Sequence, residues 1–288
     1  MALVTETLFG TVDKVQIAID RIRQFEPPEG YYGAFSGGKD SETIKKLTEL
    51  AGVKIDWHYN MTGIDPPELV YHIRNNHPNV KPERYKKSIW KLIVEKQMPP
   101  TRIARYCCEV LKEGGGEGRF VITGVRWAES VKRKNSRGIV EVLNSRKDKK
   151  VLLNNDNDES RRLLETCVAK GKRVLNPIVD WTDEEVWEFI RIQNIKYCSL
   201  YDEGFHRLGC IGCPMARRGG RLKEFERWPK FYDAYMRAFG RMVKANIKRK
   251  GQDAAIWKTA QDVMDWWIYE MPKEDPDQLK LLDEEATP

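Results

Sequence analysis

One short segment near residue 31 constrains the fold of this chain more than any other. Residues 31–35 are apolar and predict a short strand, and the sequence SGGKDS follows directly at residues 36–41. The next residues have helical spacing and end at Gly52, a residue type that commonly closes helices. A strand, a glycine-rich turn and a helix in this order predict one unit of a parallel α/β sheet.

The glycine-rich turn, residues 36–41, is named the phosphate loop here because its composition suits an anion. Small residues let backbone N–H groups converge on a phosphate, and the following helix adds partial positive charge. Gly37 and Gly38 permit a close approach that larger side chains would block. The loop is not a Walker A motif. The alternative interpretation is a capped Gly-Gly turn that binds nothing.

The side chains of the phosphate loop carry the expected chemistry. Lys39 supplies a mobile positive charge, and Ser36 and Ser41 can donate hydrogen bonds to phosphate oxygens. Asp40 is a candidate ligand for a magnesium ion on the phosphates. We therefore expect a nucleotide site at this turn.

Further strands and helices extend the pattern along the chain. Residues 53–60 and 119–125 predict two more strands, separated by helical stretches. The fold class is therefore predicted as α/β, with a doubly wound, mostly parallel sheet of the adenine nucleotide alpha-hydrolase type. At 288 residues the chain suits one nucleotide-binding domain, 1–216, followed by a basic, aromatic-rich helical extension, 217–288.

Composition changes locally between about residues 131 and 175, where charged and polar residues lack apolar periodicity. This segment is predicted to be an inserted loop with a short hairpin. Helical order is expected to return at Thr182, which is a good N-cap followed by acidic residues.

Charge and hydropathy limit the class of protein. The net charge is +7 with a pI near 9.0, which favours polyanions mildly, and an anionic nucleotide alone would account for it. No apolar run approaches the roughly 20 residues that a membrane span needs. The N-terminal residues do not resemble an export signal, so the sequence predicts a cytoplasmic protein without a membrane partner.

Four of the six cysteines form two pairs that are far apart in sequence, Cys107-Cys108 and Cys210-x-x-Cys213. Four soft thiolates favour zinc or an iron–sulfur cluster. Directly adjacent cysteines are unusual for structural zinc, whose ligands are normally separated by two to four residues. The spacing therefore favours a cluster and leaves zinc as the alternative.

The remaining cysteines and most histidines have no pattern of this kind. Cys167 and Cys198 are predicted to be packed or bystander thiols. The sequence assigns no role to His58, His72 or His77.

Several motifs carry a resemblance to one family. SGGKDS resembles the PP-loop of the N-type ATP pyrophosphatases and the phosphoadenosine phosphosulfate (PAPS) reductases. The sequences HYNMTGIDPPE at 58–68, ITGVRWAESVKR at 122–133 and NPIVDWTDEEVWEFI at 176–190 resemble further blocks of that family. These matches occur in the family's order and cover about residues 30–216. The resemblance implies the α/β fold and an adenine nucleotide as ligand.

The resemblance also implies roles for individual residues. Lys39, Asp40 and Arg126 would be catalytic, with Arg126 forking onto phosphate or sulfate oxygens and Glu129 orienting its guanidinium. Without the family match, an exposed ion pair would explain Arg126 and Glu129 equally well. The full implied nucleotide-binding set is Ser36, Gly37, Gly38, Lys39, Asp40, Ser41, Thr62, Gly63, Gly124, Arg126, Glu129 and Arg133.

The cysteine segments extend the same resemblance. ARYCCEVLK and YDEGFHRLGCIGCP are similar to the cysteine segments of the cluster-bearing adenylylsulfate and PAPS reductases. The resemblance therefore implies a 4Fe-4S cluster on Cys107, Cys108, Cys210 and Cys213.

One feature of the thiol-dependent reductases is missing from this sequence. Their nucleophilic cysteine lies in a C-terminal Glu-Cys-Gly-x-His segment, and no cysteine follows Cys213 here. We therefore expect an enzyme that cleaves ATP to AMP and pyrophosphate and thereby activates an acceptor for sulfur transfer, with nucleic acid as a candidate acceptor. A redox or sulfur-donor protein and a homodimer are the expected partners. The alternatives are a true adenylylsulfate or PAPS reductase that forms sulfite, and a zinc-containing nucleic-acid-binding module.

Overall fold

A computed structural model describes residues 3–8, 10–112, 114–143, 150–153, 172–216 and 219–269. The chain divides into two compact units. The first unit comprises Met1–Met61, Asp65–Arg84 and Gly114–Gly209, and the second comprises Thr62–Ile64, Tyr85–Glu113 and Cys210–Pro288.

The first unit contains a small hairpin and a sheet of seven strands in its described part. The sheet order is β5-β4-β3-β6-β9-β7-β8; its first five strands are parallel, and the last two run antiparallel to their neighbours. The strands are β1 (Val4–Thr7), β2 (Gly10–Asp13), β3 (Tyr31–Ala34), β4 (Ile55–Met61), β5 (Lys81–Arg84), β6 (Phe120–Ile122), β7 (Val140–Leu143), β8 (Lys150–Leu153) and β9 (Lys172–Leu175).

Helices occur in both units. In chain order they are α1 (Lys14–Gln24), α2 (Lys39–Ala51), α3 (Pro67–Asn76), α4 (Ile89–Lys96), α5 (Tyr106–Leu111), α6 (Val131–Ser136), α7 (Asp183–Ile192), α8 (Gly220–Arg227), α9 (Pro229–Lys250) and α10 (Ala260–Tyr269). Helices α4, α5, α8, α9 and α10 belong to the second unit. No helix in the described ranges is both long and apolar enough to span a bilayer.

The sheet is doubly wound, which confirms the predicted fold class. From β3 the chain adds β4 and β5 on one side, and it then places β6 and β9 on the other side. The direction of winding reverses between β3 and β6, and doubly wound proteins bind ligands beyond the carboxyl ends of the strands at such a point. The phosphate loop follows β3 directly.

Helix α2 ends as predicted but begins earlier. It is closed by Gly52, whose φ of 71° is left-handed, and it begins at Lys39, inside the predicted turn, because Gly38 is its N-cap. The start of α7 is as predicted. Helix α7 begins after Thr182, which accepts a hydrogen bond from the Glu185 backbone while the Glu185 side chain accepts from Thr182.

The described residues of the charged segment at 131–175 form helix α6 and the predicted hairpin, β7–β8, together with β9. Strand β9 lies inside the sheet and is not predicted from the sequence. The apolar part of β9 is only Val174 and Leu175, which is too short for a periodic signal. Residues 154–171, including Cys167, lie outside the described residues.

The second unit differs from the predicted division at residue 216. It includes the C-terminal helices but also residues 85–113, because α4 packs along α9. Its core contains Tyr235, Phe239 and Trp267, all at most 2% exposed. Trp228 and Trp267 of this helical region are both buried.

Candidate functional site

The phosphate loop forms a tight turn at the start of α2. Gly38 occupies the N-cap position without a side-chain cap, and the first-turn backbone N–H of Lys39 donates to the Tyr201 hydroxyl at 2.8 Å. The Ser41 hydroxyl donates to the Gly38 carbonyl at 2.8 Å and lies 3.2 Å from the Ser36 hydroxyl. The loop therefore presents hydroxyl and N–H groups at a helix N-terminus.

At two positions of this site, neighbouring atoms leave no room for a Cβ, so only glycine fits. Gly37 has a φ of 69°, and a Cβ there would lie 2.7 Å from Leu69 and 2.8 Å from Ile73. Gly124 follows β6, and a Cβ there would lie 2.9 Å from the backbone carbonyl of Asp40. The segment after β6 thus packs directly against the first turn of α2.

Two cations and two carboxylates meet beside this turn. The Lys39 ammonium lies 3.2 Å from a carboxylate oxygen of Asp40 and 3.2 Å from one of Asp183. The Arg126 guanidinium donates to Asp40 at 2.8 Å and to Asp183 at 2.6 Å. A third bond, from Arg126 to the Trp181 carbonyl at 3.2 Å, completes the set. The three predicted catalytic residues, Lys39, Asp40 and Arg126, therefore lie together with a fourth charged residue, Asp183.

The charge state of this network follows from its geometry. The Arg126 side chain is only 1% exposed, so its charge requires nearby carboxylates. Burial opposes the ionised form of Asp183, but the hydrogen bond from Arg126 and the charge of Lys39 outweigh it and lower the pKa of Asp183. Two fixed carboxylates and two cations are well suited to hold a magnesium ion and a polyphosphate.

Glu129 and Arg133 follow Arg126 in the chain, and their side chains pair with each other. The Glu129 carboxylate accepts from the Arg126 backbone N–H at 3.2 Å and from the Arg133 guanidinium. The guanidinium of Arg126 is held by Asp40 and Asp183 instead. The expected role of Glu129, to orient the Arg126 guanidinium, is therefore not seen. Its carboxylate instead closes the short turn Trp127–Glu129.

Two residues of this site, Asp183 and Tyr201, are not predicted from the sequence. Asp183 has a signal, because the Thr182 N-cap places an acidic residue in the first turn of α7, beside the positive helix end. Tyr201, which accepts from Lys39, lies in an isolated short turn, Ser199–Tyr201, and no sequence pattern identifies it.

The four predicted cysteine ligands all lie in the second unit. Cys107 and Cys108 are on α5, and Cys210 and Cys213 flank a turn in which the Cys213 N–H donates to the Cys210 carbonyl at 3.2 Å. Cys210 and Cys213 are near enough to Cys107 to raise the pKa of its thiol, although its hydrogen bond to Cys108 and burial are larger causes. That same hydrogen bond, together with Arg105, lowers the pKa of Cys108.

The turn between Cys210 and Cys213 is held by the unit's core. Gly212 has a φ of 72°, and a Cβ there would lie 2.9 Å from both Phe225 and Tyr235. Its N–H donates to the Glu224 carboxylate at 2.7 Å, and the Tyr235 hydroxyl donates to the Ile211 carbonyl at 3.0 Å. Two thiols are thereby presented on a rigid turn, as a metal site requires.

The donor set of this site suits a metal centre. Four thiolates can bind one zinc ion or the iron atoms of a 4Fe-4S cluster. Cys107, Cys108, Cys210 and Cys213 would hold such a group.

Thr62 and Gly63, two predicted nucleotide-binding residues, belong to the second unit. The Thr62 hydroxyl is 3.5 Å from the Cys210 sulfur, and the Ile211 N–H donates to the Ile64 carbonyl at 2.7 Å. Thr62 is therefore in contact with the cysteine turn, and its hydroxyl also accepts from the Ile64 N–H at 3.3 Å.

Comparison with known proteins places these features in context. The family model described as Phosphoadenosine phosphosulfate reductase domain matches residues 31–216. An uncharacterized protein of Methanocaldococcus jannaschii is 26% identical over 215 residues, which cover 70% of this chain and 40% of that relative. The chain thus spans less than half the length of that relative.

Two further proteins are similar over different extents. The adenosine 5'-phosphosulfate reductase of Allochromatium vinosum is 37% identical over 60 residues, covering 21% of this chain and 23% of that protein. The crystal structure of phosphoadenylyl-sulfate (PAPS) reductase from Candida auris superposes with a TM-score of 0.46 at 15% identity, covering 67% of this chain and 87% of that one.

Proposed function

The chain belongs to the phosphoadenosine phosphosulfate reductase domain family, and from that premise we propose that it is an enzyme of sulfur metabolism that binds an adenine nucleotide at the phosphate loop. In this proposal it cleaves ATP to AMP and pyrophosphate and so activates an acceptor for sulfur transfer.

The observation that carries the proposal is the charge network at the start of α2. Lys39 and Arg126 supply two positive charges beside a helix N-terminus, where a polyphosphate gains most from them. Asp40 and Asp183 supply the carboxylate oxygens that magnesium prefers. This combination suits the α–β phosphate bond of ATP, because its cleavage needs a metal and a cation on the leaving pyrophosphate.

The proposed reaction has two steps. An acceptor oxygen attacks the α-phosphorus of ATP, the bond to the bridging α–β oxygen breaks, and pyrophosphate leaves with that electron pair. A sulfur nucleophile then displaces the adenylated oxygen, which leaves as AMP. Lys39 and the loop N–H groups stabilise the charge that develops in the first step.

Cys107, Cys108, Cys210 and Cys213 would hold a 4Fe-4S cluster in the second unit. Such a cluster, when bound, would supply a site that holds sulfur or transfers electrons. The four thiols would bind iron as thiolates.

A second candidate function is reduction of adenylylsulfate or PAPS to sulfite. It is favoured by the similarity to proteins named adenosine 5'-phosphosulfate reductase, one of which is 24% identical over 186 residues. The same phosphate loop would then hold a sulfated nucleotide, and a thiol would be needed as the electron donor.

We further propose single-stranded nucleic acid as the acceptor class. Helix α9 ends in Lys248, Arg249 and Lys250, and a cavity of about 440 Å³ is lined by Arg249, Lys250 and Trp257. The ring of Trp257 is 5.3 Å from that of Trp266 and is half-buried, so it can offer a face for base stacking. Binding of a labelled oligonucleotide should weaken steeply with salt and fall in Trp257→Ala.

Product analysis separates the candidate functions. The protein, purified without oxygen, is incubated separately with Mg-ATP, adenylylsulfate and PAPS in the presence of a thiol, and the products are resolved by chromatography. AMP and pyrophosphate from ATP are the expected result. Sulfite from a sulfated nucleotide, with no ATP cleavage, would replace the first proposal by the second.

A further inference from the structure

Glu42, His72 and His77 form a buried cluster that the proposed reaction does not use. Glu42 lies on α2 and is 2% exposed, and a single one of its oxygens contacts both imidazoles. The Nε2 atom of His72, on α3, lies 2.8 Å from this oxygen, and the Nε2 atom of His77, where α3 ends, lies 2.9 Å from it. The cluster therefore joins the helix of the phosphate loop to the next helix.

The three donor atoms have the chemistry of a metal site. One carboxylate oxygen and two imidazole nitrogens all lie within 4.8 Å of one another, and in the described ranges no other group of three such residues does so. Two histidines and one carboxylate are the ligand set of zinc sites that keep a fourth position open. Both imidazoles direct Nε2 toward the same Glu42 oxygen.

A cavity gives the cluster an entry path. About 360 Å³ of space is lined by Glu42, His77 and Gln193, among others. A metal ion can enter from this side, and a water molecule can then occupy the fourth position. Lys45, Lys46 and Lys196 also border the cavity. Glu49 pairs with Lys45 at 2.8 Å and with Lys46 at 3.7 Å, and this offsets part of the repulsion of a cation.

The second ring nitrogens of the two histidines have different surroundings. The amide nitrogen of Asn76 lies 3.2 Å from Nδ1 of His72, and Nδ1 of His77 is buried without a hydrogen-bond partner in the described residues. An amide beside Nδ1 of His72 can support that imidazole as a ligand.

We propose that Glu42, His72 and His77 bind one divalent ion of the zinc class, with water as the fourth ligand, independently of the four-cysteine site. Zinc would tie α2 to α3. Because Leu69 and Ile73 of α3 lie next to Gly37, the ion would also hold α3 in place against the phosphate loop.

Metal analysis of the whole chain tests this site. The protein is purified without oxygen with its iron in place, given one equivalent of zinc chloride and passed through a desalting column. Zinc and iron are then measured in the same sample. We expect the wild-type protein to retain about one zinc ion per chain. In His77→Gln the retained zinc should fall by about tenfold or more, while the iron content stays unchanged.

Matched variants separate metal binding from hydrogen bonding. In His77→Gln the side chain can still donate to Glu42, and Glu42→Gln gives a second variant should the first unfold. His58→Gln is the control, since His58 also pairs with a carboxylate, Glu83 at 2.8 Å, but has no third ligand. Retention of zinc should be normal in that control. Equal zinc in wild type and both folded cluster variants would overturn the proposal.

X-ray absorption at the zinc edge identifies the ligands directly. The expected first shell contains only nitrogen and oxygen at about 2.0–2.1 Å. Sulfur at about 2.3 Å would place the zinc at the cysteines and overturn the proposal. A folded wild-type protein that retains no zinc would overturn it as well. None of these outcomes depends on nucleotide turnover.

Discussion

The guanidinium of Arg126 donates to the carboxylate of Asp183 at 2.6 Å. Arg126 follows β6 and Asp183 begins α7, so the bond connects two segments that are far apart in sequence. Because Asp183 also lies 3.2 Å from the Lys39 ammonium, it is shared by both cations of the site. This carboxylate therefore sets how the two cations face the phosphate loop.

Replacement of this carboxylate should lower stability in a pH-dependent way. Asp183→Asn removes one counter-ion of the buried Arg126, but the Asp183 side chain is 62% exposed and Asp40 remains. We expect a loss of about 1–2 kcal/mol at pH 7, below the roughly 3–5 kcal/mol of a fully buried pair. Urea unfolding followed by circular dichroism measures it.

The sign of the pH dependence follows from the lowered pKa of Asp183. A group whose pKa falls on folding stabilises the protein above its unfolded value, about 3.9, and this contribution is lost as pH falls through the folded value. The difference between wild type and Asp183→Asn should thus be full at pH 7 and shrink below about pH 4. Glu117→Gln, an exposed carboxylate of the same unit, is the control. A pH-independent difference would contradict the ion-pair account.

A methyl group at position 124 should disturb the phosphate loop. The Cβ of Gly124→Ala would lie 2.9 Å from the Asp40 carbonyl, so the first turn of α2 must shift. We expect a loss of about 1–3 kcal/mol in stability and about tenfold weaker binding of Mg-ATP by calorimetry. Gly240→Ala, whose Cβ meets only Ala260 at 3.9 Å, should bind normally. Normal affinity in Gly124→Ala would show that this contact does not shape the site.

Removal of one cysteine ligand should bleach the protein. Cys108→Ser or Cys213→Ser, purified without oxygen, is expected to lose a brown chromophore that absorbs at about 400 nm. Cys198→Ser is the matched control, because Cys198 is buried in the first unit and 1% exposed. A colourless wild type that contains zinc at its cysteines would refute the cluster.

The sequence predicts those parts of the fold that local signals encode. The strand, loop and helix at residues 31–52 and the α7 N-cap at Thr182 depend on neighbouring residues, and the structure has both. Strand β9 has almost no local signal, because its place inside the sheet comes from pairing with β6 and β7. Such long-range pairing cannot be read from a four-residue segment.

The candidate site shows the same limit. Lys39, Asp40 and Arg126 are identified by their motifs, but the sequence does not say that Arg126 turns to Asp183 rather than to Glu129. The imidazoles of His72 and His77 acquire a shared partner only when α2 and α3 pack together. Contacts between side chains of separate elements therefore account for what sequence reasoning misses.

The most direct test of the central claim is the effect of Lys39→Ala on Mg-ATP. Binding is measured by calorimetry and turnover by release of AMP and pyrophosphate, with circular dichroism as the check on folding. The ammonium of Lys39 lies at the phosphate loop between Asp40 and Asp183, so we expect turnover to fall by about 100-fold or more while the fold is retained. Lys54→Ala, an exposed lysine of the same unit, should behave as wild type. Unchanged binding and turnover in Lys39→Ala would contradict the assignment of residues 36–41 as the nucleotide site.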